Sequence, residues 1–155
     1  MSIGEAAVPS TGVSLTIHDV AAQLGHLRWL ELELFRALGG AVTATTDARS
    51  KLAASVESRH AGERAEALAV VIPFIEGLTA DDRTRCHEHD AAAVASAVAG
   101  TGAESRVAEA RRALRPLIRA AYESILAGTG PVADAPVRRV LVAGLAGVDQ
   151  DVNPC

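Results

Sequence analysis

Three glutamates and one histidine stand at helical spacing in the first half of this 155-residue chain. Glu57 and His60 form a Glu-x-x-His motif, in which one helical turn separates two side chains that can reach the same cation. Glu63 follows close behind, and Glu31 lies in the preceding segment. Carboxylates and imidazoles are the oxygen and nitrogen ligands of many transition-metal ions. Glu31, Glu57, His60 and Glu63 are therefore the candidate metal ligands.

Glu31 is the polar member of an otherwise apolar stripe. The residues that recur at every third or fourth position around it are leucines, the pattern of a helix that packs against other helices. A carboxylate in such a stripe is costly to bury unless it is neutralised, paired with a cation or bound to a metal. The sequence therefore predicts a polar level inside a helical core. The stripe consists of Leu24, Leu27, Glu31, Leu34 and Leu38.

His60 and Glu63 belong to a second stripe with the same spacing. Its other members are apolar, so we interpret it as the buried face of a second helix packed lengthwise against the first. This interpretation directs His60 and Glu63 toward the helix that carries Glu31. The apolar members are Ala53, Val56, Ala67, Val70 and Phe74.

The composition favours helices over sheets. Hydrophobic residues make up 49% of the chain but aromatic residues only 3%, whereas β-proteins draw more heavily on aromatic and β-branched residues. Spacing and capping signals predict an all-α domain between flexible tails at residues 1–15 and 150–155. Its four helices are expected at about residues 17–44, 47–74, 103–127 and 135–149.

The glycine pair Gly39–Gly40 leaves two alternatives for the first helix. The pair either caps the helix at Leu38 or lies within a helix that continues to about Ala44. With the longer helix, an antiparallel return brings Glu31 near the level of His60. With the shorter helix, the four candidate ligands separate.

The connection between the second and third helices, residues 77–100, is long enough to cross a bundle, and it contains a short helical signal. Four helices with one long crossover form the ferritin-like arrangement. With Glu31 on the first helix and Glu57 and His60 on the second, the chain resembles the ferritin-like (rubrerythrin-like) superfamily. Residues 111–138 are similar to small bacterial members of that superfamily. The resemblance implies iron or manganese as the metal.

Half of the superfamily's di-metal site is missing from this sequence. A complete site needs a second carboxylate from the third helix and a second Glu-x-x-His from the fourth, but residues 140–148 contain neither acid nor histidine. We therefore expect a degenerate site, no cofactor, and a non-catalytic binding or assembly protein. The alternative is an iron- or manganese-binding oxidoreductase that uses the half-site on the first two helices.

Arginines offer the acids a purely structural role. Several arginines lie within reach of the same helices and would neutralise buried carboxylates without any metal. Stoichiometric iron or manganese in the purified protein would separate the two interpretations. The arginines are Arg28, Arg59, Arg64 and Arg111.

Residues 86–90, Cys-His-Glu-His-Asp, concentrate five side chains that can ligate zinc or copper. Four-coordination would need further ligands from elsewhere, and no second cluster of this kind exists in the sequence. His18 and His26 belong to another element. We interpret residues 86–90 as a solvent-exposed loop.

The remaining features limit the kinds of partner. A formal charge of −4, a pI near 5.7 and few aromatic residues argue against nucleic acid. No apolar run is long enough to span a membrane.

Two cysteines, one of them the last residue, suit a reduced cytoplasmic protein. Alanine-rich helices with Trp29 and Phe35 outside the leucine stripe predict a homodimer or a protein partner.

Overall fold

The computed structural model of the chain describes residues 15–99 and 102–152, and the regular secondary structure in these stretches is entirely helical. The prediction of an all-α protein is confirmed. A 3-10 turn over Asp82–Thr84 lies between the second and third helices. The five helices are α1 (Ile17–Val42), α2 (Ala48–Val71), α3 (Glu88–Val98), α4 (Ala103–Gly128) and α5 (Ala135–Val152).

α1 begins at a capping box and continues through the glycine pair. The Thr16 hydroxyl accepts a hydrogen bond from the Asp19 backbone N–H, and the Asp19 carboxylate accepts one from the Thr16 backbone N–H. Gly39 and Gly40 lie inside the helix, which ends at Val42. The predicted leucine stripe is confirmed, because none of its members is more than 1% exposed: Leu24, Leu27, Glu31, Leu34 and Leu38.

α2 turns a different face to the core than its spacing predicts. Val56, Val70 and Phe74 are 38%, 85% and 97% exposed, and Ala53 and Ala67 are exposed as well, so the prediction that these residues are buried was wrong. The prediction followed these large apolar side chains, which lie on the exposed side. The buried face is made mostly of small residues, which let α2 lie close against its neighbours and still pack densely. Its members are Ala54, Glu57, Ser58, Ala61, Ala65 and Leu68.

The four long helices enclose one core. α1 packs against α2 and α4, and α5 packs against α4 and α2. α3 lies mainly against α4. The 3-10 turn lies against α1 at Gly25, where a Cβ would stand only 2.4 Å from the carbonyl oxygen of Asp82. This close approach requires glycine and holds the segment leading into α3 beside α1.

The last turn of α5 reaches beyond the expected end of the helix. Gln150 and Asp151, which the sequence assigned to a tail, are helical. Residues 1–14 and 153–155 of the expected tails lie outside the described residues.

The described helices include none that is both long enough and apolar enough to cross a membrane. Phe35 and Leu52 are 42% and 66% exposed on α1 and α2. The homodimer or protein partner and the cytoplasmic location stay predictions.

Candidate metal centre

Glu31, the first of the predicted ligands, is bound by an arginine. Its carboxylate is fully buried, and Arg64 of α2 donates to both of its oxygens, with Nε 2.8 Å from Oε1 and Nη2 3.1 Å from Oε2. The hydroxyl of Tyr122 on α4 also donates to Oε1, at 3.1 Å. Two parallel N–H donors matched to one carboxylate make a strong and oriented ion pair. Three helices therefore meet at Glu31.

Burial and the neighbouring hydrogen-bond donors shift the pKa of Glu31 in opposite directions. Burial raises the pKa of Glu31, and the bonds from Arg64 and Tyr122 only partly offset that effect. Burial also lowers the pKa of Arg64, but the carboxylates of Glu31 and Asp151 outweigh it, so the pKa of Arg64 is raised. Burial and the charge of Glu31 raise the pKa of Tyr122. Tyr122 therefore remains a neutral hydrogen-bond donor.

His60 and Arg64 share a second carboxylate, that of Asp151 in the last turn of α5. His60 Nδ1 lies 2.8 Å from Asp151 Oδ1, and Arg64 Nη1 lies 2.7 Å from Oδ2. The backbone carbonyl oxygen of Asp151 accepts a bond from Arg115 Nη2 at 3.0 Å. This single residue therefore ties α5 to both α2 and α4.

The other two predicted ligands have arginine partners of their own. Glu57, only 4% exposed, accepts from Arg111 Nε and Arg115 Nε of α4, each at 2.8 Å. Glu63 is exposed and pairs with Arg59 at 2.8 Å, one turn away on α2. The structural pairing that the sequence suggested is present for Arg59, Arg64 and Arg111. The fourth arginine, Arg28, instead donates to Thr84 at 2.8 Å and lies 3.9 Å from Glu66.

The four predicted ligands do not converge on one point. Among the described residues, one group of histidine, cysteine or acidic side chains has its ligand atoms mutually within 4.8 Å. Glu31, Glu57, His60 and Glu63 are not part of that group. They belong instead to an ion-pair network that spans α1, α2, α4 and α5. Ligation of iron or manganese by these residues stays a prediction.

A different group of side chains does converge. His26 of α1 meets His87 and Asp90 at the start of α3, and one ligand atom from each lies within 4.8 Å of the other two. His26 and Asp90 are 5% and 7% exposed. His89 lies at the rim, with Nε2 3.3 Å from Asp90 Oδ2. We call His26, His87, His89 and Asp90 the histidine cluster.

Hydrogen bonds indicate the tautomer of a neutral His26 ring. The backbone N–H of His87 donates to His26 Nδ1 at 3.2 Å, so this nitrogen carries a lone pair. In the neutral ring the proton then lies on Nε2, which donates to Asp90 Oδ2 at 2.8 Å. Both nitrogens of the buried imidazole are thereby satisfied, and the bonds fasten the start of α3 to α1.

The rings of the cluster lie close together. His26 and His87 stack with their centroids 3.8 Å apart and their planes 7° from parallel. Burial lowers the pKa of His87, and the neighbouring His26 and His89 add to the effect, against the opposing charge of Asp90. A neutral imidazole has a free lone pair, which is the form that ligates metals.

A cavity of about 330 Å³ adjoins the cluster. His26, His87 and Asp90 form part of its wall, and α4 supplies the opposite wall. The cluster is therefore open on one side to a space large enough for a small molecule. The residues of α4 in that wall are Leu117, Ala120, Ala121, Ser124 and Ile125.

Sequence reasoning singled out residues 86–90 but assigned them to an exposed loop. Asp90 is buried in the first turn of α3, so that interpretation was wrong for its key carboxylate. His26, 61 positions before His87, brings a third candidate ligand to His87 and Asp90. The one sequence signal was His26 itself, a polar residue next to the leucine stripe of α1.

Comparison of this chain with protein-family models, with curated proteins and with solved structures finds no match. The resemblance to the ferritin-like superfamily stays a prediction.

Proposed function

We propose that this protein binds one divalent transition-metal ion, of which zinc is the representative, in the histidine cluster, and that its role is binding rather than catalysis. The observation that carries the proposal is the convergence of His26, His87 and Asp90 within 4.8 Å. Two imidazoles and one carboxylate are a ligand set that zinc uses in proteins. Magnesium and calcium prefer all-oxygen sites, so the cluster favours nitrogen-binding metals over them.

The surroundings of the cluster support metal binding. The carboxylate of Asp90 offsets part of the charge of the ion, and burial of His26 and Asp90 limits competition from water. His26 extends from a rigid helix whose neighbouring side chains are core leucines. A ligand on a packed helix loses little further freedom when it binds metal.

Metal binding changes one hydrogen bond. A metal ion ligated by His26 Nε2 takes the place of the proton that Nε2 now donates to Asp90. The neutral ring then carries its proton on Nδ1, which faces the backbone N–H of His87. Two donors cannot share a bond, so the hydrogen bond between the His87 N–H and His26 Nδ1 is lost.

We infer for the fold that α1, α2, α4 and α5 form a ferritin-like four-helix bundle. The pairwise packing of these helices and the long connection that carries α3 between α2 and α4 support the inference. In that arrangement the cluster lies where the crossover meets the bundle, away from the ion pairs of Glu31 and Glu57.

Isothermal titration of the metal-free protein with zinc tests the function. We expect about one zinc per chain. Asp90→Asn and His87→Ala each remove a ligand and are expected to weaken binding at least ~100-fold, since even outer-shell partners of metal ligands contribute ~10–100-fold. Magnesium is expected to produce no comparable heat.

Two variants serve as controls. His18→Ala removes an exposed histidine of α1 outside the cluster, and His60→Ala removes the histidine of the Glu-x-x-His motif. Both are expected to bind zinc as the wild type does. Unchanged zinc affinity in Asp90→Asn and His87→Ala would contradict the proposal, and so would loss of binding in His60→Ala alone.

A further inference from the structure

We propose that the metal ion in the histidine cluster keeps one coordination position open to the adjoining cavity, where a small ligand with an oxygen or nitrogen donor binds. This inference rests on the proposed function and names the class of molecule that the site takes. Two independent features support it: the number of protein ligands and the place of the cavity.

The protein supplies three well-placed donors. These come from His26, His87 and Asp90, whereas the side chain of His89 is 76% exposed and approaches the same oxygen of Asp90 that His26 already contacts. Zinc sites with three protein ligands hold water or another exchangeable ligand in the fourth position. The donor count therefore predicts an open position rather than a closed structural site.

The cavity lies where that fourth ligand must come from. Its volume of about 330 Å³ is in the range of small-molecule sites, and the same His26, His87 and Asp90 line it. A ligand on the metal would extend across the cavity toward α4. The open position and the space for its ligand thus adjoin.

The lining of the cavity defines the ligand. Leu117 and Ile125 offer apolar contacts, while Gln23 and Ser124 bring polar groups to the same space. Gln23 is half-buried and Ser124 is exposed, so a ligand in the cavity can reach the polar groups of both side chains. A short molecule fits best when one end carries the metal-binding oxygen or nitrogen and the other end is apolar. Acetohydroxamate has these properties: it binds through two oxygens, which a metal with three protein ligands accepts by expanding to five-coordination. Azide is the smallest probe of the open position itself.

Cobalt(II) makes the open position visible, because the absorption of the bound ion reports changes in its ligands. The experiment loads the full chain with cobalt(II), measures cobalt affinity, and then titrates azide and acetohydroxamate. We expect saturable spectral changes with both probes. Ala120→Leu and Ser124→Leu place bulk at exposed positions on the α4 wall. Each variant is expected to bind cobalt as the wild type does, but acetohydroxamate at least ~10-fold more weakly, a change in Kd of one decade.

Ala108→Leu is the matched control, because it makes the same substitution at an exposed position of α4 outside this cavity. It is expected to leave both cobalt and acetohydroxamate binding unchanged. Cobalt binding with no response to either probe would overturn this inference while the proposed function stands. Equal acetohydroxamate affinity in the wild type, Ala120→Leu and Ser124→Leu would overturn the cavity as the binding place. Absence of cobalt binding in the wild type would refute the proposed function and this inference with it.

Discussion

The backbone of Gly144 lies so close to Tyr122 that a Cβ at this glycine would stand 2.4 Å from the tyrosine hydroxyl. That hydroxyl is buried and donates to Glu31. The absence of a side chain on α5 therefore lets α4 direct Tyr122 at the carboxylate of α1. α1 and α5 thus both contact the side chain of Tyr122 on α4.

Replacing this glycine is expected to disturb that fit. Gly144→Ala forces Tyr122 or α5 to move, and overpacking of this kind costs about 1–3 kcal/mol of unfolding free energy. Gly147→Ala is the matched control, because its Cβ would meet only Arg64 at an ordinary 3.6 Å. In this helical position alanine is expected to stabilise by about 0.4–1 kcal/mol. Urea denaturation measures the unfolding free energy of both variants. Equal changes in Gly144→Ala and Gly147→Ala would contradict the close contact between Gly144 and Tyr122.

Glu31 is expected to respond differently to two substitutions. Glu31→Gln keeps the shape and an acceptor for Arg64, which retains the charge of Asp151, so a loss of about 1 kcal/mol is expected. Glu31→Leu matches the leucine stripe but leaves donors of Arg64 and Tyr122 buried without acceptors. Removing one partner of a buried ion pair costs about 3 kcal/mol or more.

Chemical denaturation at neutral pH measures both variants, and Tyr122→Phe shows how much of the loss belongs to the tyrosine bond. A Glu31→Leu protein as stable as the wild type would contradict the importance of the Arg64 pair.

The stability that Glu31 contributes is expected to depend on pH. Its pKa in the folded protein is raised above the ordinary value of 4.5, with burial as the main cause. The folded state therefore holds this proton more tightly than the unfolded state does. The resulting stabilisation is complete below the unfolded pKa and is lost as the pH rises through the folded pKa. As the pH rises above the ordinary value of 4.5, the wild type is therefore expected to lose stability relative to Glu31→Gln. Melting temperatures of both proteins over this range test it, and a constant difference would refute it.

Zinc is expected to release one backbone amide. The His87 N–H is now bonded to His26 Nδ1, and ligation through Nε2 removes that acceptor. Hydrogen exchange of the His87 amide, followed by NMR, is expected to accelerate on addition of zinc. The Ser50 amide, bonded to Asp47 at the start of α2, is the internal reference and is expected not to change. Slower exchange at His87 would mean that the metal binds without using His26 Nε2.

The sequence was informative where large apolar residues determine the packing. The leucines around Glu31 predicted the buried face of α1, because leucines at this spacing rarely face water along a whole helix. The face of α2 was not predictable in this way. Its apolar core positions are Ala54, Ala61, Ala65 and Leu68, and the three alanines contribute little to a hydrophobic pattern whichever way they face.

The ion pairs of the buried acids and the histidine cluster also differed in how far the sequence predicted them. Arginines as partners of the buried acids were predicted, since a carboxylate in a leucine stripe requires compensation. Asp151 was not identified, because it lies in a segment assigned to a tail. His26 meets His87 where the 3-10 turn approaches α1 at Gly25, and only the three-dimensional structure shows that this distant turn lies there.

The position of Asp151 also matters for protein engineering. Asp151 lies in the last described turn of the chain. Its carboxylate pairs with His60 and Arg64, and its backbone carbonyl oxygen accepts from Arg115. A chain shortened to residue 149 would deprive three basic side chains of an acceptor in one step. Fusions are therefore better joined through a linker beyond residue 152.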